Sequence, residues 1–187
     1  MDFPHFETDR LRLRQITEDD LENIFSGLSH PEVIKYYGVN YKNLDDTWEQ
    51  LEWYAELERT RAGIWWAITS AEDNSFCGAI GYNNLSREHK KAELGFWLLP
   101  EYWGKGYVQE ALDVVLEYAF QKLHLHRIEA FVETENISSQ NTLQKCHFQQ
   151  EGILRDSEIK NGRFISVAIF SIINNQWAEI KRLSEKF

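Results

Sequence analysis

The chain has 187 residues, 43% hydrophobic and 14% aromatic, which is enough apolar material for one large core and a single domain over residues 1–187. Its formal net charge of −10 argues against a nucleic-acid-binding surface, which needs a basic stripe, and favours cationic or neutral partners. No apolar run approaches the ~20 residues that cross a bilayer, and the start MDFPHFETDR lacks a secretory signal pattern, so we expect a cytoplasmic protein that binds no membrane.

Alternating apolar and charged residues predict a first strand over Arg10–Ile16. Thr17 follows with the spacing of a helix N-cap, because an acidic residue stands three positions later. The apolar residues after it keep helical spacing and predict a first helix. Beyond a turn at His30-Pro31, a second run with helical spacing predicts a helix over Leu44–Arg61.

Three strands separated by polar turns come next and should form an antiparallel meander: Ile64–Thr69, Phe76–Asn84 and Lys91–Leu99. The following helix is strongly amphipathic and carries apolar residues at spacings of three and four: Val108, Ala111, Leu112, Val115, Ala119 and Leu123. The last predicted elements are a strand, a short helix, a hairpin turned at Lys160-Asn161-Gly162, and a final helix: His126–Glu133, Ser138–Cys146, Phe148–Asp156 with Arg163–Ile172, and Asn174–Phe187. This order predicts a mixed α and β domain without repeats or linkers.

The segment Lys91–Leu112 runs from a strand through a glycine-spaced turn into a helix. Gly104 and Gly106 let the backbone approach a ligand closely, and the helix start offers unpaired N–H groups and the positive end of its dipole. The pattern therefore indicates a pyrophosphate site. The alternative is a tight strand-to-helix turn with no ligand.

Two other glycine loops are excluded by spacing. The dinucleotide fingerprint needs a third glycine where Gln109 stands. The nucleotide-triphosphate loop needs Gly-Lys-Ser/Thr, whereas this chain has Gly104-Lys105-Gly106.

Residues Glu101–Gly106 resemble the acetyl-CoA-binding motif of the GNAT acetyltransferase superfamily, Gln/Arg-x-x-Gly-x-Gly/Ala. A second block, Asn136–Phe148, is similar to the Asn-x-x-Ser and Lys-x-Gly-Phe block of the Rim-type ribosomal-protein N-acetyltransferases. The segments Thr8–Arg14 and Pro31–Val33 also resemble that subgroup, so the resemblance covers the chain from Phe6 to Trp177. Four ordered blocks are far harder to obtain by accident than one.

Two positions depart from these motifs. Glu101 replaces the usual Gln or Arg and puts a carboxylate near the expected phosphates, so we expect its side chain to point away from them. His147 stands where the second block has glycine. These departures keep open a non-catalytic acyl-CoA-binding module as an alternative.

The resemblance implies a GNAT fold of the α+β class, with a twisted, mostly antiparallel central sheet of about seven strands and about four to five helices. Two central strands, Lys91–Leu99 and His126–Glu133, are expected to splay apart and admit the pantetheine arm of acetyl-CoA. The backbone amides from Trp103 to Val108 are expected to hold the pyrophosphate. The full set of expected cofactor-binding residues is Leu98, Leu99, Trp103, Gly104, Lys105, Gly106, Tyr107, Val108, Asn136, Ser139, Asn141 and Lys145.

Glu93 is the candidate general base for transfer of acetyl to an amine. Strand alternation puts it on one face with Gly95, Trp97 and Leu99, so this carboxylate lies on an otherwise apolar surface. It also matches a position where several GNAT enzymes keep a glutamate, which takes the amine proton directly or through water. The alternative is a solvated carboxylate on an edge strand.

The resemblance also assigns roles to the second block. Asn136 is expected to bond the pantetheine arm, and Ser139 lies near the thioester sulfur, where its hydroxyl can reprotonate the thiolate; Tyr107 is a competing donor that can equally be a packing residue. Ordinary helix capping is the alternative role for Asn136. Lys105 and Lys145 are expected to neutralise phosphates, although exposed lysines are usually only solvated.

Other polar and aromatic clusters have simpler interpretations. Aromatic residues in the region that lines the acceptor cleft of the family are expected to be mostly core, with two or three facing substrate: Tyr36, Tyr37, Trp48, Trp53, Tyr54, Trp65 and Trp66. The spacing of His124, His126, Cys146 and His147 matches no standard zinc pattern, so no metal is expected. Cys77 and Cys146 lie in apolar segments and are expected to be free buried thiols rather than a disulfide or nucleophiles.

The sequence thus predicts an acetyl-CoA-dependent N-acetyltransferase of the Rim type, with direct attack of an amine on the thioester. Its expected acceptor is the N-terminal α-amine of a protein, including ribosomal proteins. Acetylation of a small amine, an antibiotic or a free amino acid is the enzymatic alternative, since fold does not determine substrate. Both a monomer and a homodimer remain open.

Overall fold

The computed structural model describes residues 3–184. Eight strands lie in this part of the chain: β1 (Phe6–Glu7), β2 (Leu11–Gln15), β3 (Ile64–Ser70), β4 (Phe76–Ser86), β5 (Lys91–Leu98), β6 (Arg127–Glu133), β7 (Gln149–Lys160) and β8 (Arg163–Ile173). They form one sheet in the order β1-β2-β3-β4-β5-β6-β8-β7. The α+β class and the mostly antiparallel sheet are therefore confirmed.

Six α-helices accompany the sheet in residues 3–184: α1 (Leu21–Leu28), α2 (Pro31–Ile34), α3 (Leu44–Thr60), α4 (Tyr107–Glu117), α5 (Ile137–Lys145) and α6 (Asn174–Ser184). A 3-10 turn precedes α1 and another precedes α4, and a π-helical turn follows α4: Glu18–Asp20, Pro100–Tyr102 and Tyr118–Lys122. Among these described helices, none has both the length and the apolar composition needed to cross a membrane.

The pairing of β5 with β6 positions the site. These strands run parallel, whereas every other neighbouring pair in the described sheet is antiparallel. Their register runs from Lys91 opposite Arg127 to Glu93 opposite Glu129 and then stops, although both strands continue. The expected splay of the two central strands is therefore present, and it begins immediately after Glu93.

Helices cover the two faces of the sheet and form two apolar cores. One core joins the sheet to α4 and α5 and includes Trp66, Ile80, Tyr82, Leu112, Val115 and Phe170. The other joins it to α1 and α3 and includes Ile24, Leu51, Trp65, Ala79 and Trp97. Because both faces of β3 and β4 are covered, these strands are buried in continuous runs rather than at alternate residues.

Local sequence signals explain most element boundaries. Thr17 and Asp20 form the expected capping box, which starts the chain turning into α1. The amphipathic stripe of α4 buries Ala111, Leu112 and Val115 completely. The helix predicted over Leu44–Arg61 ends one residue earlier, because Arg61 adopts a left-handed conformation with φ 59° and acts as the C-cap.

The sequence patterns did not predict the two smallest elements, and they misplaced the ends of some strands and helices. β1 has two residues and α2 has four, so neither shows a periodic pattern. β7 extends four residues past the predicted end at Asp156, because irregularities between Leu154 and Glu158 interrupt the alternation without ending the pairing. The end of the helix predicted over Asn174–Phe187 lies outside the described residues.

Candidate active site

The glycine turn between β5 and α4 has the conformation that the sequence predicts. Gly104 has φ 72° and Gly106 has φ 79°, both in the left-handed region that L-residues rarely adopt. A Cβ on Gly104 would meet no atom within 4 Å. Backbone conformation, rather than crowding by the protein, therefore explains glycine at this position.

The turn leaves a row of backbone donors without protein partners. The first helical bond of α4 runs from the Glu110 N–H to the Gly106 carbonyl at 3.1 Å. Among residues 3–184, no protein group accepts a hydrogen bond from the N–H groups of Gly104 through Gln109. The Trp103 N–H differs, because it donates to the Pro100 carbonyl at 3.1 Å. The bare donor row is thus shifted by one residue from the predicted Trp103–Val108.

Trp103 closes the turn onto the strand instead. Its indole Nε1–H donates to the Leu98 carbonyl at 2.9 Å, while the ring itself is 45% exposed. Glu101 lies on the preceding 3-10 turn and is exposed. Lys105 is also exposed, and its ammonium lies 5.3 Å from the centre of the Tyr102 ring. The cations and carboxylates of the turn are therefore on the surface around the bare donors.

Backbone groups of β5 also face the splay. The Leu99 N–H donates to the Cys77 carbonyl at 2.9 Å, which fixes the antiparallel pattern so that odd-numbered residues of β5 bond to β4. Leu94, Phe96 and Leu98 consequently direct their N–H and C=O groups away from β4, toward the side where β6 departs. Among the described strands, neither β4 nor β6 pairs with the Leu98 N–H, whereas the Leu99 N–H is bonded to Cys77. Phe96 was missed by sequence reasoning, because its role depends on strand pairing rather than on side-chain type.

Glu93 lies where β5 and β6 separate. It shares the face of Gly95 and Trp97, is half-buried, and accepts a hydrogen bond from Asn84 Nδ2 at 2.8 Å. The register partner of Glu93 on β4 is Asn83. Glu93 thus shares its face with Gly95 and Trp97 on one side, whereas Lys91 and Glu129 make the other side charged rather than apolar.

A second carboxylate lies beside it but has different partners. Glu129 is the register partner of Glu93 across β5 and β6. Lys91 Nζ donates to Glu129 at 2.7 Å and Arg127 Nε at 2.9 Å. Burial raises the pKa of Glu129, but the hydrogen bonds from Lys91 and Arg127 outweigh burial and lower it. Glu129 is therefore held as a neutralised anion, whereas within residues 3–184 the only hydrogen-bond partner of the Glu93 side chain is an uncharged amide.

An indole covers the sheet next to Glu93. Trp65, Gly81 and Gly95 are register neighbours on β3, β4 and β5. A Cβ on Gly95 would lie 2.7 Å from Cζ2 and Cη2 of Trp65, so the indole lies across both glycines. Trp53 and Tyr54 of α3 pack against Trp65 with ring centres 5.7 and 5.2 Å away.

Not all of the predicted aromatic cluster lies on this face. Trp66 packs on the opposite face with Phe6, Tyr82 and Tyr118, so it belongs to the core beneath α4. Trp53 is 39% exposed and extends the wall made by Trp65 to the surface. The expectation that most of these rings are core is met only in part, because Tyr54, Trp65 and Trp66 are buried, Tyr36 and Tyr37 are half-buried, and Trp48 and Trp53 are exposed.

The second block of the sequence lies at the same edge of the sheet as the glycine turn. Since β5 and β6 are parallel, the turn after β5 and the α5 start after β6 lie at neighbouring strand ends. Asn136 is the N-cap of α5 and accepts from the Ser139 N–H at 3.2 Å, so capping is observed. Ser139 is half-buried, whereas Asn141 and Lys145 are exposed on α5.

Tyr107 packs against its neighbours at the glycine turn, and the two cysteines are protonated thiols. The Tyr107 ring stacks on Tyr102 with centres 5.9 Å apart, and the Arg10 guanidinium lies 4.9 Å from it. Burial raises the pKa of the Cys77 thiol to about 11, and burial does the same for Cys146. Thiols with such values are almost wholly protonated near neutral pH, so a covalent cysteine route has no structural support.

Comparisons with known proteins agree with this geometry. Residues 10–149 match the acetyltransferase (GNAT) domain. The chain is 38% identical over 172 residues to the uncharacterized N-acetyltransferase YoaA of Bacillus subtilis, covering 91% of this chain and 97% of that protein. It is 32% identical over 124 residues to the putative ribosomal N-acetyltransferase YdaF of the same organism, covering 66% and 64%.

A third relative is known by sequence and by structure. The spermidine N(1)-acetyltransferase of Vibrio cholerae is 26% identical over 169 residues, covering 90% of this chain and 95% of the relative. The crystal structure of the spermidine N-acetyltransferase from Vibrio cholerae with CoA and spermine superposes with a TM-score of 0.81 at 24% identity, over 91% of this chain and 99% of that one. The chain therefore belongs to the GNAT acetyltransferase family, as an N-acetyltransferase whose acetyl donor is acetyl-CoA.

Proposed function

We propose that the enzyme acetylates the N-terminal α-amine of a protein by direct attack of that amine on the acetyl-CoA thioester. The observation that carries the proposal is the position of Glu93 where β5 and β6 part. A thioester arm that enters the splay passes next to this carboxylate. Glu93 is thereby within reach of an amine that approaches the thioester from the face covered by Trp65.

Each group in the reaction has a proposed role. The amine nitrogen attacks the thioester carbon, a C–N bond forms, and the C–S bond breaks. Glu93 takes the proton that the amine loses, directly or through water. Ser139 gives its hydroxyl proton to the leaving thiolate and regains one from solvent. Because the transfer is direct, no acylated side chain is required, which agrees with the raised thiol pKa values of Cys77 and Cys146.

The cofactor is proposed to lie along the parallel strand ends. The free N–H groups of Gly104 through Gln109 and the positive end of the α4 dipole favour the diphosphate. The N–H groups of Phe96 and Leu98 donate hydrogen bonds to the amide carbonyl oxygens of the pantetheine arm. Asn136 and Asn141 flank the same arm on its α5 side. Lys105 and Lys145 add positive charge near the phosphates.

The choice of an α-amine follows from acid–base energetics. With a reference pKa of ~8 for an α-amine and ~10.4 for lysine, producing the neutral nucleophile at pH 7 costs about 1.4 kcal/mol for the former and about 4.6 kcal/mol for the latter. A single carboxylate base therefore generates the neutral form of an α-amine far more readily than that of a lysine side chain. The relative named as a putative ribosomal N-acetyltransferase supports a protein acceptor.

A polyamine is the second candidate acceptor. The Vibrio cholerae relative is named for spermidine and aligns over 95% of its own length. The net charge of −10 also favours a cationic acceptor of either kind. The two proposals differ in the acceptor alone, because donor and transfer chemistry are the same.

The proposal is tested by following CoA release with a panel of acceptors. The panel contains peptides that start with Ala, Ser or Met, the same peptides with a blocked N-terminus and one lysine, and spermidine. We expect turnover with free N-termini and much less with the blocked lysine peptides. Turnover confined to spermidine would assign the polyamine instead. Acetyl-CoA binding by calorimetry with no turnover on any acceptor would indicate a binding module and overturn both candidates.

A further inference from the structure

We infer that Arg10 is a positioning residue for the cofactor, which acts by holding Glu110 away from the diphosphate site and by fixing the glycine turn. Arg10 lies in the segment between β1 and β2, 100 residues before Glu110. Glu110 lies in the first turn of α4, directly after the bare N–H groups. The inference rests on the proposed seat of the diphosphate.

Four hydrogen bonds and ion-pair contacts hold the Glu110 carboxylate. Arg10 Nε donates to Oε2 at 2.7 Å, and Arg10 Nη2 lies 2.6 Å from the same oxygen. The Arg10 backbone N–H donates to Oε1 at 3.0 Å, and the Thr8 hydroxyl donates to Oε1 at 2.5 Å. Both carboxylate oxygens are thus engaged by the β1–β2 segment, and the Glu110 side chain is only 18% exposed.

The same guanidinium also contacts the turn itself. Arg10 Nη1 donates to the Lys105 carbonyl at 2.9 Å, between the two left-handed glycines. A Cβ added to Gly106 would lie 3.6 Å from Arg10 Nη2, and the guanidinium lies 4.9 Å from the Tyr107 ring centre. One side chain therefore contacts Lys105 and Tyr107, the residues on both sides of Gly106.

The arrangement solves an electrostatic conflict at the helix start. An acidic residue in a first turn favours an isolated helix, but at an anion site it repels the ligand and competes for the same N–H groups. Burial raises the pKa of Glu110, yet hydrogen bonds from Thr8 and Arg10 outweigh burial and lower it, so the carboxylate stays ionised. Arg10 both neutralises this charge and draws it toward β1 and β2.

A structural tie between the N-terminal strands and α4 is the competing explanation. The two explanations differ in how they depend on the diphosphate. A tie that only stabilises the fold affects all donors equally, whereas a positioning role affects only donors that carry a diphosphate. They also differ for a variant that lacks both Arg10 and the Glu110 carboxylate. If Arg10 has a positioning role, removing the carboxylate relieves the repulsion between Glu110 and the diphosphate that the loss of Arg10 creates.

The experiment compares acetyl-CoA with acetyl-pantetheine, which lacks the diphosphate, as donors for wild type, Arg10→Gln, Glu110→Gln and the double variant. We expect Arg10→Gln to raise KM for acetyl-CoA about tenfold, the effect of one lost charge-assisted contact, with little change in kcat. Its KM for acetyl-pantetheine should stay at the wild-type value. The double variant should recover at least about threefold of the loss for acetyl-CoA. Arg10→Lys should fall between wild type and Arg10→Gln.

Controls separate folding from positioning. Arg12→Gln removes an exposed arginine of β2, and Asp113→Asn removes a carboxylate of α4 that is 72% exposed; neither should change KM for acetyl-CoA. Thermal unfolding of each variant identifies any that does not fold. Equal increases in KM for both donors, or a double variant no better than Arg10→Gln, would overturn the inference.

The proposed cofactor seat is tested separately by Gly106→Val. If this variant binds CoA like wild type in calorimetry, the diphosphate does not use the turn, and the proposed seat fails whatever Arg10 does. If Gly106→Val loses CoA binding while Arg10→Gln keeps the wild-type KM, the seat is supported and only the role of Arg10 is rejected.

Discussion

Glu93 and Glu129 are register partners across β5 and β6, yet their hydrogen-bond donors differ in charge. Glu93 accepts from an uncharged amide, and Glu129 accepts from two cations. Two carboxylates side by side repel each other unless one is neutralised. Lys91 and Arg127 neutralise Glu129, whereas in the described part of the chain neither cation bonds to Glu93. The two carboxylates thus differ in role: Glu129 belongs to a structural ion-pair cluster, and Glu93 is the candidate catalytic base.

The first prediction concerns that separation. Glu93→Gln should lower kcat by at least about tenfold, because a general base typically contributes 10²–10⁴-fold, while CoA affinity measured by calorimetry should not change. Glu129→Gln is the matched control. It should change kcat far less and instead lower the urea midpoint, because it weakens the partnership with Lys91 and Arg127. A Glu93→Gln enzyme with wild-type turnover would remove Glu93 from the mechanism.

The second prediction concerns acid stability. The hydrogen bond from Arg127, with a further one from Ser171, lowers the pKa of Glu151 from 4.5 to about 2. A carboxylate whose folded pKa lies below its unfolded value stabilises the fold above the unfolded value and loses this contribution as pH falls through the folded value. The contribution of Glu151 should therefore be complete above pH 4.5 and decline between pH 4.5 and about 2.

Urea unfolding at pH 7 and at pH 3 measures this dependence. Glu151→Gln should lose less stability than wild type between the two pH values, because its side chain does not titrate. Glu117→Gln, on the exposed side of α4, should retain the wild-type acid loss. A Glu151→Gln protein with the full wild-type acid loss would show that Arg127 does not hold Glu151 in solution.

The third prediction concerns the paired glycines under Trp65. A Cβ on Gly81 would lie 2.4 Å from the Ile64 carbonyl oxygen, which is backbone and cannot move freely. That Cβ would also lie 2.4 Å from Cγ of Trp65, an atom position that leucine retains, whereas a Cβ on Gly95 would meet the outer indole atoms Cζ2 and Cη2 of Trp65 at 2.7 Å. Both alanine substitutions should destabilise the protein by about 1–3 kcal/mol, and Gly81→Ala should cost more.

A second substitution distinguishes these two clashes. Trp65→Leu removes the indole atoms over Gly95, so the Gly95→Ala/Trp65→Leu pair should cost less than the sum of its single substitutions. Gly81→Ala should gain much less from Trp65→Leu, because its contacts with the Ile64 carbonyl and with Cα and Cγ of residue 65 remain. Chemical denaturation of the single and double variants gives both coupling energies, and additive costs at Gly95 would contradict the packing of the Trp65 indole across Gly95.

Features that depend on neighbouring residues could be predicted from the sequence, and features that depend on distant pairing could not. The left-handed glycines Gly104 and Gly106 and the face of Glu93 follow from local conformation and from strand alternation. The hydrogen bonds from Arg10 to Glu110 join residues 100 positions apart, and no local sequence pattern indicates them. The backbone of Phe96 is another such case, because which strand its N–H faces depends on the register with β4.

The fourth prediction concerns His147, which follows the end of α5. His147 has φ 66°, its N–H donates to the Gln144 carbonyl, and the Phe148 N–H donates to the Leu143 carbonyl, both at 3.0 Å. These two bonds form a Schellman motif, in which the left-handed position is usually glycine. The glycine of the family motif is thus explained by helix termination, and its replacement should affect stability rather than cofactor binding.

His147→Gly should therefore stabilise the protein by about 0.5–1 kcal/mol, since relief of ~1–2 kcal/mol of left-handed strain exceeds the added entropy of an unfolded glycine. Gln144→Gly, at an exposed position inside α5, should instead cost about 1 kcal/mol. Urea unfolding measures both changes, and CoA titration should give the wild-type affinity for His147→Gly. A destabilised His147→Gly protein would mean that the histidine makes a compensating contact in solution, and a changed CoA affinity would mean that this helix end belongs to the cofactor site.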